Sequence, residues 1–254
     1  MNKILVYFAL KYNGDFDKIF NAITSKEKCD YDEVCKTVDA LKCKYTTIIA
    51  SNYPTKLKRL SKPPFVLFYY GDLSLIDKKT IGVIGSRNYT KYGEVNTNNI
   101  IEGLVYKNYI IVSGLAKGID SIAHKSALLN LGKTIAVLGN GVDYFYPINN
   151  LDLQNKIKEE GLLISEYPPS LSPKKENFPK RNRIIAAISD SLIVIEAKRN
   201  SGTMITVNEA LNLGKDIMCI PTRNDENSGC NYLIKSGAFL IEDINDVLEI
   251  LNEK

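Results

Sequence analysis

The sequence predicts an α/β fold: a doubly wound, mostly parallel Rossmann-like sheet behind a small N-terminal helical unit. Three observations predict it. Short, near-continuous apolar runs recur from residue 80 onward, most gaps between them are long enough for one helix, and glycines follow most of the runs. Uninterrupted apolar strands alternating with helices mark a parallel sheet covered on both faces.

Residues 1–62 read as helical. Phe16, Ile19, Phe20 and Ile23 fall at i, i+3, i+4, i+7, and Val34, Val38 and Leu41 repeat that spacing. Pro63 and Pro64 in "SKPPFVLFYYGD" (61–72) then end any helix, so residues 63–79 read as an extended connector or edge strand. Seven runs give the strands of a domain spanning 80–254: "IGVIGS" (81–86), "YIIVSG" (109–114), "TIAVLGN" (134–140), "LLISEY" (162–167), "SLIVIEA" (191–197), "DIMCIP" (216–221) and "AFLI" (238–241).

Composition narrows the class. Of 254 residues 44% are hydrophobic and 24% charged, and the formal net charge is only +4, so the placement of the cations has to identify a partner. No run approaches a membrane span, and no membrane partner is expected. Five cysteines without CxxC spacing read as reduced thiols of a cytoplasmic protein, not as metal ligands.

Doubly wound sheets bind ligands beyond the carboxyl ends of their strands. The first run ends in Gly85, Ser86 and Arg87, and the second in Ser113 and Gly114, followed by Ala116, Lys117, Gly118 and Asp120. A glycine turn opening a helix lets backbone N–H groups approach an anion. A dinucleotide cofactor does not fit: no GxGxxG follows the first strand and no acidic residue ends the second, so no cofactor is expected. The most basic stretch, "KKENFPKRNR" (174–183), places Lys175, Lys180, Arg181 and Arg183 around Phe178 and Asn182. Cations interleaved with an aromatic ring are what single-stranded nucleic acid requires. Tyr89, Tyr92, Tyr144 and Tyr146 read more simply as surface packing. His124, about one turn after Asp120, reads as a packing or hydrogen-bonding residue, and Asp120 as a helix cap. Glu196 and Glu209 are the one carboxylate pair placed for chemistry.

In order along the chain, "VIGSRNYTKYG", "IVSGLAKGIDSIAH", "TIAVLGNGVDYFYP", "GLLISEYPP", "NFPKRNRIIAAIS", "VIEAKRNSGTMIT" and "GCNYLIKSGA" resemble the DNA-processing protein A (DprA/Smf) family. The resemblance implies a cytoplasmic, non-catalytic homodimer that binds and protects incoming single-stranded DNA and loads the RecA recombinase in natural transformation. It implies that Arg87 contacts the DNA backbone and that Ser113 to Asp120 cradle a phosphate. Lys175, Phe178, Arg181, Asn182 and Arg183 would line the basic, stacking part, and Ser201, Gly202 and Thr203 would close the pocket. "PTR" (221–223) departs from the family's Pro-Gly, and the winged-helix domain of many relatives is not expected after the Rossmann-like domain. Two other readings stay open. "NSGTMITVNEA" partly matches the loop of LOG-type phosphoribohydrolases, with Glu209 as the acid, and the glycine loop alone could serve a small-nucleotide sensor.

Overall fold

The computed structural model describes residues 1–223 and 227–252. Three helices open the chain: α1 (Asn2–Lys11), α2 (Phe16–Thr24) and α3 (Tyr31–Asp39). The carboxylates of Asp15 and Asp30 cap α2 and α3, accepting from Lys18 N and Asp32 N. Each such cap contributes about 1 kcal/mol. Within 1–62 the helical reading omitted one element, the strand β1 (Lys44–Thr47). Its "KYTT" is too short to signal a strand alone; it is held by antiparallel pairing with β2 (Val66–Gly71), Tyr45 facing Phe68. The segment read as an extended connector or edge strand is therefore a strand inside the sheet, between β1 and β6.

The seven runs form β3 (Thr80–Ile84), β4 (Ile110–Ser113), β5 (Thr134–Val137), β6 (Leu162–Ser165), β7 (Ser191–Val194), β8 (Ile217–Cys219) and β9 (Phe239–Leu240). Between and after them lie α4 (Lys91–Tyr106), α5 (Ile119–Leu129), α6 (Leu151–Glu160), α7 (Asn177–Ile188), α8 (Gly202–Asn212), α9 (Gly229–Lys235) and α10 (Ile244–Ile250). One nine-stranded sheet runs β1-β2-β6-β5-β4-β3-β7-β8-β9. β2 joins β6 antiparallel, and the strands from β6 to β9 are parallel. This is the doubly wound α/β fold the sequence predicts, extended by an antiparallel pair.

Side-chain alternation along each strand sorts the core into two layers. Val112, Val137, Ile164, Leu192 and Cys219 point to the face covered by α7, α8 and α9. Their neighbours Ile111, Ile193 and Met218 point to the opposite face, under α4, α5 and α10. On that same opposite side Phe68, Ala136 and Leu163 pack against α1, α2, α3 and α6. The N-terminal helices thus share a core with the sheet.

The chain winds outward from β3 to β6, then returns to place β7 on the other side of β3. That reversal is where ligand crevices usually open. Here it is stitched shut. Glu196, after β7, accepts from Thr90 N at 2.9 Å, and Thr203 Oγ1 donates to the Gly85 carbonyl at 3.2 Å. The accessible rim lies instead over β4 and β5.

Candidate nucleic-acid interface

The first turns of α7 lie across the carboxyl ends of β4 and β5, because Arg181 reaches down to them. Its Nη1 donates to the Gly114 carbonyl at 2.7 Å and also to that of Val137. Only 4% of Arg181 is exposed. Burial pushes its guanidinium down to about 10, so it stays cationic at neutral pH. A Cβ on Gly114 would stand 2.6 Å from Arg181 Nη2, so the glycine is needed for this approach.

The β4–α5 turn carries its own anion. Asp120, in the first turn of α5, accepts from Gly114 N at 3.2 Å, and the Ala116 amide faces it too. Burial raises the Asp120 carboxyl; the Arg181 charge opposes that rise. An aspartate matches the positive end of the helix as a phosphate would. Part of the donor set expected to cradle a phosphate is therefore already used inside the turn. Gly118 adopts φ +86, and a Cβ there would strike the Ser86 carbonyl at 2.2 Å. Asn150, which sequence reasoning missed, braces the same turn by donating to the Leu115 carbonyl at 3.0 Å and to Ser121 Oγ at 2.7 Å. A lone asparagine after "YPIN" carries no signal of such a role.

Above this frame lies a slot of about 60 Å³. Arg87 and Lys117 border it, as do the rings of Tyr146 and Phe178, whose centroids lie 5.6 Å apart. Phe178 lies on Gly139: a Cβ there would meet the ring at 2.7 Å. The slot can admit a phosphate or a ring edge, and a polymer would lie across it. Arg87, Lys117, Lys174, Lys175 and Lys180 are exposed. Among the described residues the ion pairs lie elsewhere, and these five cations carry none. Tyr146 is 42% exposed and packs beside Phe178 at the slot.

The remaining predicted residues hold the frame. Ser113 Oγ donates to the Val83 carbonyl at 2.7 Å, tying β4 to β3. Ser86 closes its own turn with Asn88, and Gly85 packs on Ile119. Asn182 Nδ2 donates to the Gly202 carbonyl at 3.3 Å, and Ser201 Oγ to the Lys198 carbonyl at 2.7 Å. Arg183 turns away from the slot into a 2.6 Å ion pair with buried Glu166. Glu196 accepts two bonds from Thr90 at the start of α4, so it is not paired with Glu209 for chemistry. His124 is fully buried. Thr134 Oγ1 already donates to the Ile111 carbonyl, so it accepts from His124 Nδ1–H at 2.6 Å, which fixes the tautomer. Burial pushes this imidazole down to about 3.

Among the described residues no His, Cys, Asp and Glu cluster could hold a metal ion, and no helix is long and apolar enough to cross a membrane.

Fold and rim together define a Rossmann-like α/β protein whose strand ends present cations that carry no ion pair among the described residues, beside an aromatic pair. The chain belongs to the DNA recombination-mediator protein A family, whose model matches residues 44–252. It is 44% identical over 204 residues to the DNA processing protein DprA of Streptococcus pneumoniae, covering 80% of this chain and 72% of that protein. The X-ray structure of DprA from S. pneumoniae superposes with a TM-score of 0.81 at 40% identity, covering 92% of this chain and 80% of that one. DNA processing protein A from Helicobacter pylori, whose structure describes a single-stranded DNA binding mode, gives 0.76 at 33% identity. That match covers 83% of this chain and 97% of the H. pylori chain.

Proposed function

We propose that this chain binds single-stranded DNA across the strand-end slot, protects it and delivers it to the RecA recombinase during transformation or recombination in the cytoplasm. The observation that carries the reading is the juxtaposition of Arg87 and Lys117 with the Tyr146–Phe178 pair around one slot. Cations track the phosphates while a base stacks on a ring. Exposed Lys175 and Lys180 add positive charge at the start of α7, and Gly114 and Gly118 let Arg181 and Ser86 pack close beneath the slot. The protein works by binding, without a bond-breaking step or a cofactor. Family membership and the DNA-binding relative from H. pylori support this reading.

A homodimer fits the edge of the sheet. Among the described residues β9 has strand β8 on one side only, and Phe239 and Leu240 are each more than two-fifths exposed. An apolar, unpaired edge is a pairing surface. Light scattering should give twice the 28.4 kDa chain mass, and Leu240→Arg should return it to the monomer.

The direct test is fluorescence anisotropy with a labelled single-stranded oligonucleotide, its duplex, and rising salt. Tight, salt-sensitive binding with preference for the single strand is expected, followed by capture of RecA on the protein-coated strand. Failure to bind any single strand at low salt would overturn the reading.

A further inference from the structure

The loop between β5 and α6 exposes more than the one ring it lends to the slot. Tyr144, Tyr146 and Ile148 are 41%, 42% and 67% exposed, whereas Pro147 among them is buried. Phe145 packs inward of them, with the Lys158 ammonium 5.1 Å from its ring centroid. Three large apolar side chains therefore stand outward within 144–148. Their backbone is braced. The Tyr144 carbonyl accepts from Asn140 Nδ2 at 2.9 Å and from Gln154 Nε2 at 3.2 Å, and both of those side chains are buried. The Asp143 carboxylate accepts from the Tyr70 hydroxyl at 2.8 Å, and Asn150 holds the other end to the Leu115 carbonyl. Apolar surface left in water is unfavourable, and a braced loop cannot fold it away. A rigid loop that presents such a patch is a contact surface.

Its surroundings identify what it contacts. At one end, Asn150 ties the loop to the β4–α5 turn that carries Lys117. At the other, Gly141 N donates to the Leu171 carbonyl at 2.9 Å and Asp143 N to that of Pro169 at 2.8 Å. The chain leading into exposed Lys174 and Lys175 thus runs alongside. Cations stand at both ends, with the apolar side chains between them. Tyr146 belongs to both surfaces, since its ring also packs beside Phe178 at the slot. Phosphates held by cations, with bases laid on apolar side chains between them, match this order.

We propose that residues 144–148 form a second stacking surface, on which the bases flanking the one at Phe178 rest, one on Tyr144 and one on Ile148. The inference rests on the strand binding proposed above and extends it: the slot takes one base and the loop takes its neighbours. Ring and aliphatic faces read no hydrogen-bonding edge, so this surface needs bases without selecting among them.

The test uses the full chain and two variants, Tyr144→Ser and Ile148→Ser. The probes are labelled oligo-dT and an abasic strand of equal length, which keeps the phosphates and lacks the bases. The neighbours of Tyr144 hold its carbonyl and not its ring, and Ile148 is exposed, so both variants should melt at the wild-type temperature. Tyr144→Ser should bind oligo-dT about fivefold or more weakly, the low end for a base stacked on a ring. Ile148→Ser should lose about fourfold, the worth of one buried methylene group. Both should keep the wild-type salt slope and the wild-type affinity for the abasic strand. Equal losses on the two strands overturn the stacking surface, because the loop would then act only by shaping the cations. Unchanged affinity of both variants for oligo-dT also overturns it. If those variants then fail to capture RecA on the coated strand, the patch is a protein surface. Each of these results leaves strand binding standing; failure of the wild type to bind any single strand removes both readings. Should neither variant fold, photocrosslinking of oligonucleotides carrying 5-iododeoxyuridine to the wild type decides. Crosslinks at Tyr144 support the surface; crosslinks confined to Tyr146 and Phe178 overturn it.

Discussion

Arg181 and Gly114 form a matched pair across 67 positions of sequence: the guanidinium donates to the glycine carbonyl at 2.7 Å and occupies the space a Cβ on Gly114 would need. The pair pins α7 over the strand ends, and Asp120 faces the same guanidinium through the turn. Arg181 therefore fixes the floor of the slot that it also lines. Arg181→Leu leaves two buried carbonyls unpaired and Asp120 without its compensating charge, and should cost about 2–4 kcal/mol of stability. Gly114→Ala should cost a similar amount, and the double variant less than the sum. Urea denaturation of the single and double variants measures this. A variant that unfolds at the wild-type midpoint yet loses DNA would make Arg181 a contact residue instead.

Arg87 is exposed at the edge of the slot and makes no ion pair among the described residues. Arg87→Ala should leave stability within about 0.5 kcal/mol of the wild type. Each phosphate contact on a single strand contributes about −0.7 to the slope of log affinity against log salt. Affinity should drop at low salt, and the slope should become shallower by about that amount. Anisotropy titrations across a salt series read both quantities, and an unchanged slope would remove Arg87 from the phosphate track.

Phe178 separates the second component of binding from the first. Stacking of one base on a ring contributes about 1–3 kcal/mol and involves no counterion. Phe178→Leu keeps the apolar contact with Gly139 but loses the ring face toward Tyr146. Its affinity should therefore fall by about fivefold or more while the salt slope stays at the wild-type value. A loss of slope instead would mean that the ring orders the neighbouring lysines, not a base.

The strands, the glycine turns and the existence of a basic rim were legible in the sequence because each is local: a β-branched run, a turn residue, a charge cluster. What each member of a cluster does was not. Lys180, Arg181 and Arg183 lie within one turn of α7 and look alike in sequence, yet one is exposed, one is buried on backbone carbonyls and one pairs with Glu166. Helix phase against the sheet decides between them, and that phase is set by packing partners far away in the chain. Glu196 shows the same limit: it looked available for chemistry because Thr90, its partner, lies 106 positions upstream. β1 was missed because its four residues become a strand only against β2.

His124 gives the fold a pH dependence with a definite sign. Burial holds its folded-state pKa near 3, against 6.5 for an ordinary histidine. Between those values the unfolded chain takes up a proton that the folded chain refuses. The contribution of His124 is thus fully present above about pH 6.5 and is lost progressively as pH falls toward 3. At about 1.4 kcal/mol per pKa unit, acidification from pH 7 to 5 should remove about 2 kcal/mol through this residue. Asp120 and Glu166 work the other way, since burial raises both carboxyls and favours the folded state on acidification. The measurement therefore has to be a difference. His124→Asn can keep a donor to Thr134 Oγ1 but has nothing to titrate. It should be less stable than the wild type at pH 7, and the gap should narrow by about 2 kcal/mol at pH 5. Urea unfolding of both proteins at the two pH values gives that gap, and a constant gap would show that the imidazole is protonated in the fold.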